Sequence, residues 1–138
     1  MTVHHETLSL ETKSRETTID ITARVRAAVT RSKIRDGICS VMVAHTTAGV
    51  FVNENADPDV QRDLLYLLGK AVPRDEEFRH AEGNSPAHIK AVIVGGDVTL
   101  SIRDGEVVLG TWQGIYLAEF DGPRTRSATV TVIGDGAS

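Results

Sequence analysis

The alternation of apolar and polar residues along the chain predicts mostly β-structure, because apolar positions recur with a period of two. The clearest strand is the run 38–45, in which Cys39, Val41, Val43 and His45 fall on one face. Further strands are predicted over residues 2–10, 17–21, 50–53, 98–102, 106–109, 115–120 and 128–133.

Turn residues indicate how some of these strands are joined. The turn at 13–15 is predicted to return the first strand into residues 17–21 as a hairpin. Asp104-Gly105 is a strong two-residue hairpin signal for the strands on either side of it.

Three segments have apolar residues at helical spacing instead. The first begins at Ile21 and is expected to stop near Asp36, the second ends at Gly69, and the third covers residues 87–94. The second and third begin with Asp57-Pro58 and Ser85-Pro86, in each case a capping side chain followed by a proline. Strands and helices mix without a βαβ repeat. We therefore predict an α+β fold, a largely antiparallel sheet with two to three helices in one compact domain over residues 1–138.

Composition limits the class of protein. With 138 residues, 41% hydrophobic and 25% charged, the chain has ordinary globular composition. A net charge of −4 argues against nucleic-acid binding, and no apolar run suggests a membrane span. Without a signal peptide pattern, a cytoplasmic location is expected. Cys39, the sole cysteine, is interpreted as a packing residue.

Three histidines are candidates for one site. His45 ends a predicted core strand, His80 lies in a turn, and His88 lies in the first turn of a helix. Three neutral imidazoles with no further protein ligand would form an open zinc site, whose fourth position is left to water or substrate. They could equally be unrelated surface or core histidines, because no HExxH or CxxC pattern fixes their geometry.

Three carboxylates are candidate catalytic groups. Glu82, between two of the histidines, is either a general base toward a metal-bound water or a partner that orients an imidazole. Glu54 and Asp57 lie at a helix start, where they are either a Mg²⁺ or substrate site or only capping groups.

Other polar residues at element ends are candidates for binding a substrate. Arg124 and the helix start after Ser85-Pro86 offer donors suited to phosphate, although Arg124 could instead pair with Glu119 or Asp121. Trp112 is either a core anchor or a stacking surface for a flat ring. The candidate substrate-binding residues are Thr46, Thr47, Asn84, Trp112, Gln113 and Arg124.

Six segments together resemble the YjbQ family, whose members are also described as secondary thiamine-phosphate synthases. They are residues 45–50, 53–60, 80–84, 87–90, 110–115 and 119–124, in the family's order and spacing. Ser85 stands where the family often has alanine or another small residue. The resemblance implies an α+β fold, a homotrimer, a cavity that contains the histidine cluster, and synthesis of thiamine phosphate. In that reaction a pyrimidine pyrophosphate is joined to a thiazole phosphate and pyrophosphate is released.

Two other functions remain open at this point. One is a zinc-dependent hydrolase with His45, His80 and His88 as ligands and Glu82 activating the bound water. The other is a non-catalytic trimer that binds a phosphorylated metabolite. Zinc at the histidines is the expected cofactor, and Mg²⁺ is possible with a pyrophosphate substrate.

Overall fold

The computed structural model describes residues 1–136, which fold into eight strands and three helices. None of these helices is long and apolar enough to cross a membrane. In chain order the elements are β1 (Thr2–Glu11), β2 (Thr17–Asp20), α1 (Thr22–Ser32), β3 (Ile34–Val43), β4 (Ala48–Glu54), α2 (Pro58–Ala71), α3 (Ser85–Val94), β5 (Asp97–Arg103), β6 (Glu106–Val107), β7 (Gln113–Glu119) and β8 (Thr125–Gly136).

The strands form two antiparallel sheets. The larger has the order β1-β8-β3-β5-β6, and the smaller has the order β2-β7-β4. This confirms the predicted α+β class with a largely antiparallel sheet. The predicted hairpin between β1 and β2 is wrong, because β1 pairs with β8 and β2 pairs with β7 in the other sheet. The turn after β1 therefore carries the chain from one sheet to the other.

The main core lies between the two sheets and α1. Cys39, Val41 and Val130 from the larger sheet meet Leu117 from β7 and Val25 from α1, all of them almost without solvent exposure. As predicted, alternate residues of β3 supply this face, but β3 ends at Val43, so the predicted place of His45 on the strand is wrong. The burial of Cys39 raises the pKa of its thiol to about 11, which agrees with a packing role.

A second apolar layer covers the outer face of the smaller sheet. Ala118 and Phe120, one step out of phase with Leu117, pack against Leu68 of α2 and Ala91 of α3. The two helices thus lie on the same face of β7 and β4, and α3 ends beside the start of β4, where the carbonyl of Gly95 accepts the N–H of Val50 at 3.0 Å.

Three predicted element ends differ from the structure. Ser85 does not cap α3 but is its first residue, and the N-cap residue Asn84 makes no side-chain capping hydrogen bond. The first helix ends at Ser32, because Lys33 adopts a left-handed conformation (φ 60°) and the chain turns directly into β3 at Ile34. Gly69 does not end α2, which continues to Ala71. By contrast, Asp57 caps α2 as predicted, its carboxylate accepting the N–H of Asp59 at 2.9 Å.

Candidate functional site

His45 lies in the short loop between β3 and β4, and β8 holds this loop in place. The backbone N–H of Ser127 donates to Nε2 of His45 at 3.0 Å. The preceding residue of β8, Arg126, donates to the hydroxyl of Thr47 at 2.8 Å. Consecutive residues of one strand therefore hold both ends of the segment 45–47.

Arg126 is itself part of a buried ion pair. Its guanidinium makes two hydrogen bonds to the carboxylate of Glu119, one of them 2.8 Å long, and both side chains are almost completely buried. Thr12 donates to the same carboxylate at 2.7 Å, and the N–H of Asp121 donates at 3.1 Å. Burial alone would raise the pKa of Glu119, but these hydrogen bonds lower it below its ordinary value of 4.5.

The environment of His45 favours a neutral ring. Burial and the positive charge of Arg126 lower the pKa of His45 below its ordinary 6.5, with a smaller lowering by Arg124 and an opposing effect of Glu119. The hydrogen bond from Ser127 acts in the same direction, because a protonated ring would present a second N–H to that donor.

His80 and His88 are in direct contact. Their rings meet edge to face, with centroids 5.1 Å apart. Nδ1 of His80 also lies 3.0 Å from the hydroxyl of Ser85 at the start of α3. Glu82 Oε2 lies 3.9 Å from Nε2 of His80, and its side chain is 76% exposed, so the predicted base is at the rim of the site.

Two neighbouring clefts share His88. One, of about 420 Å³, is lined by His45, Thr46, His88, Val92 and the glycines after α3. The other, of about 370 Å³, is lined by His80, Ser85 and His88. The three predicted histidines therefore lie along one continuous surface, with His88 between the other two.

This arrangement does not fit a three-histidine zinc centre within the described chain. Over residues 1–136, no three side chains of His, Cys, Asp or Glu are grouped closely enough to hold a metal ion. Nε2 of His45 is also engaged by Ser127. Zinc binding at His45, His80 and His88 stays a prediction, without a ligand cluster among residues 1–136 to support it.

Four other candidates, Glu54, Asp57, Trp112 and Gln113, lie at the opposite end of the smaller sheet. In the β4–β7 ladder, Ala48 is opposite Glu119 and Glu54 is opposite Gln113. Six residues of strand separate these two pairs by about 20 Å. Trp112, 65% exposed, lies next to Gln113 and therefore cannot stack on a small molecule held at His45 of the same chain.

Local hydrogen bonds account for most polar groups at this far end. The side chain of Gln113 accepts the N–H of Gly110 at 2.8 Å, and Glu54 accepts the N–H of Ala56 at 2.9 Å. Asp57 caps α2, so the capping interpretation is the one the structure displays.

The candidate phosphate donors are also engaged. Arg124 donates to the carboxylate of Asp121 at 2.8 Å and to its carbonyl at 2.7 Å. Asn84 donates to the same carboxylate at 2.9 Å, while its Oδ1 is buried without a partner among the described residues. The pairing of Arg124 with Asp121 was the alternative that the sequence had left open.

Sequence reasoning missed the residues that fix His45, namely Glu119, Arg126 and Ser127. A signal for two of them was present. Side chains two residues apart in a strand face the same side of the sheet. Arg126 therefore faces the same side as Ala128 and Val130, and Glu119 the same side as Ile115 and Leu117, which predicts that both side chains face the core. An inward-facing arginine and an inward-facing glutamate indicate a buried pair.

The chain is similar to known proteins along nearly its whole length. The family model described as UPF0047 protein YjbQ-like matches residues 6–135. A UPF0047 protein of Methanocaldococcus jannaschii is 50% identical over 126 residues, 91% of each chain. UPF0047 protein YugU of Bacillus subtilis is 44% identical over 130 residues, which are 94% of this chain and 98% of YugU.

Solved structures share the fold. A crystal structure of an uncharacterized conserved protein of the yjbq/upf0047 family from Clostridium acetobutylicum has a TM-score of 0.91 and 49% identity, over 93% of this chain and 99% of that one. A YbjQ-like protein of unknown function from Sulfolobus solfataricus has a TM-score of 0.94 and 33% identity, over 97% and 99%. Sequence and fold together place the chain in the YjbQ/UPF0047 family.

Proposed function

We propose that this protein is a transferase that joins a pyrimidine pyrophosphate to a thiazole phosphate, in the manner of a secondary thiamine-phosphate synthase. The observation that supports it best is the cleft of about 420 Å³ between His45 and His88. Its size is within the usual range for small-molecule sites, and imidazole donors line it. The resemblance to the family, carried by six segments of sequence, supplies the reaction.

The reaction is a substitution at carbon. The thiazole nitrogen forms a C–N bond to the pyrimidine methylene carbon as the C–O bond to pyrophosphate breaks, and the electron pair leaves with pyrophosphate. The protein's task is to orient the two rings and to stabilise the departing charge. A Mg²⁺ ion carried by the pyrophosphate substrate would share that charge.

We place the leaving pyrophosphate beside the histidines. N–H groups of His45 and His88 can donate to phosphate oxygens there, and Thr46 lies on the same wall. Glu82, at the rim, is proposed to orient His80 or to accept a proton from it, since it is 3.9 Å away and mostly exposed.

The far-end residues enter the proposal through a second copy of the chain. Trp112, Gln113, Glu54 and Asp57 are about 20 Å from the His45 loop along the smaller sheet. They can act on the same substrate only if another subunit brings them to the cleft. The proposal therefore requires the homotrimer that the family resemblance implies. The exposed apolar face of α3, with Val92 82% and Ile93 56% exposed, offers a surface for that contact.

The test is pyrophosphate release with each substrate alone and with both, in the presence of Mg²⁺. We expect release only when both are present, and a loss of at least about tenfold in kcat/KM for His88→Ala. His4→Ala is the matched control, because His4 lies on β1 and bonds Glu6. A zinc hydrolase would turn over one substrate alone and stop on chelation. A binding trimer would show thermal stabilisation by ligand without turnover. Either result contradicts the proposal.

A further inference from the structure

The hydrogen bond between Ser127 and His45 fixes where the imidazole proton lies. A backbone N–H can only donate, and its N···N distance to Nε2 is 3.0 Å, so Nε2 must present a lone pair. The proton of the neutral ring is therefore on Nδ1. Ser127 is paired with Ser9 of β1, and the next residue, Ala128, is paired with Val43 of β3, so the backbone that carries this donor is held in the sheet.

Nδ1 is the free end of the ring. Among residues 1–136 it has no hydrogen-bond partner, and it is not one of their buried unpartnered atoms, so solvent or a ligand can reach it. The His45 side chain lines the cleft that it shares with His88.

We infer that His45 is a neutral hydrogen-bond donor, through Nδ1–H, to an oxygen of an anionic ligand in this cleft, and is not a metal ligand. A metal bound at Nε2 would displace the Ser127 donor and leave a strand N–H without a partner. A metal bound at Nδ1 would require the loss of the proton that the tautomer places there. Thr46 lines the same cleft, and an N–H donor next to it can bind a phosphoryl oxygen.

The identification of the ligand as a phosphate compound rests on the proposed function. The tautomer of His45 rests only on the hydrogen bond from Ser127. The protonation state is therefore measured first, in the free protein labelled with ¹⁵N-histidine. Long-range ¹H–¹⁵N spectra at pH 7 should show His45 with Nδ1 protonated and Nε2 unprotonated, before and after one equivalent of Zn²⁺. A proton on Nε2, or a His45 nitrogen shifted by coordinated zinc, would overturn the inference.

A matched pair of variants distinguishes the role of Nδ1–H as a donor from the role of Nε2 as the acceptor for Ser127. His45→Asn places an amide N–H near the position of Nδ1 and lacks the acceptor for Ser127. His45→Gln reaches the position of Nε2, where its carbonyl oxygen can accept the Ser127 N–H, and places no donor at the position of Nδ1. Both are checked for folding by circular dichroism, and inorganic pyrophosphate is the probe in calorimetry.

We expect His45→Asn to bind pyrophosphate within about threefold of the wild type and His45→Gln to bind at least about tenfold more weakly. Equal binding by both variants, or no binding by the wild type, overturns the donor role. Discrimination between the variants without pyrophosphate release from the two substrates would leave the inference standing and refute the proposed reaction. The two failures are thus distinguishable.

Discussion

The guanidinium of Arg126 and the carboxylate of Glu119 form a buried ion pair directly beneath the loop that carries His45. The pair joins the end of β7 to the start of β8, and Arg126 extends it to Thr47. Thr12 donates a further hydrogen bond to the carboxylate, and the guanidinium donates one to Thr47. These bonds replace the hydration that both charges lose when they are buried. The pair makes the His45 loop a fixed part of the scaffold.

Removing one partner of this pair should be costly. Arg126→Met leaves the carboxylate of Glu119 buried without its countercharge, and we expect a loss of about 3–5 kcal/mol in the free energy of unfolding. Arg124→Met is the control, since Arg124 is half exposed and pairs with Asp121 three residues away. It should cost about 1 kcal/mol or less. Urea unfolding of both variants measures the difference, and equal losses would contradict the account of the buried pair.

His45 should make stability depend on pH. Its pKa is lowered in the folded protein below the ordinary 6.5, so the unfolded chain binds more protons between the two values. The free energy of unfolding should therefore fall as the pH drops below about 6.5. His45→Gln removes this term, so its stability relative to the wild type should improve as the pH falls from 7.5 to 5.5. A difference that stays constant across this range would show that the ring titrates normally.

Gly49 permits the close approach of α3 to β4. A Cβ at this position would lie 2.6 Å from the carbonyl oxygen of Gly95, a backbone atom that cannot move aside. We expect Gly49→Ala to destabilise the fold by about 1–3 kcal/mol. Gly69→Ala is the matched control within α2, where nothing lies within 4 Å. It should stabilise by about 0.5–1 kcal/mol. Thermal unfolding of the two variants should show opposite shifts, and shifts of the same sign would contradict this reading of the packing.

The assembly proposal makes a separate prediction. Light scattering should give the mass of a trimer, and Val92→Glu should shift it toward the monomer because it places a charge on the exposed apolar face of α3. Val108→Glu serves as the control, on an exposed valine after β6 in the larger sheet. A monomer mass for the wild type over a wide concentration range would contradict the proposal that Trp112 of another subunit acts at the cleft.

How much of the fold the sequence predicts depends on the range of the interactions. Asp57-Pro58 predicts the start of α2 correctly, because a cap and its N–H partner lie two residues apart. The partner of β2 is β7, about a hundred residues away, and no local pattern distinguishes it from the adjacent β1. The predicted strand face that contains Val41 is correct because alternation alone determines it.

The candidate site follows the same rule. The meeting of His80 with His88 is predictable, since one short turn separates them. The separation of Trp112 from His45 is set by the length and register of β4 and β7, which the spacing of motifs along the chain does not reveal. The tautomer of His45 depends on Ser127, 82 residues away, and only the strand pairing identifies that donor.

The proposed condensation can be followed directly by phosphorus-31 NMR, because both substrates and both products contain phosphorus. The wild-type protein is mixed with the pyrimidine pyrophosphate, the thiazole phosphate and Mg²⁺, and spectra are recorded over time. If the protein catalyses the condensation, thiamine phosphate and inorganic pyrophosphate appear in equal amounts, and neither appears when the thiazole phosphate is left out. Persistence of both substrates unchanged, or release of phosphate from one of them alone, would contradict the proposal.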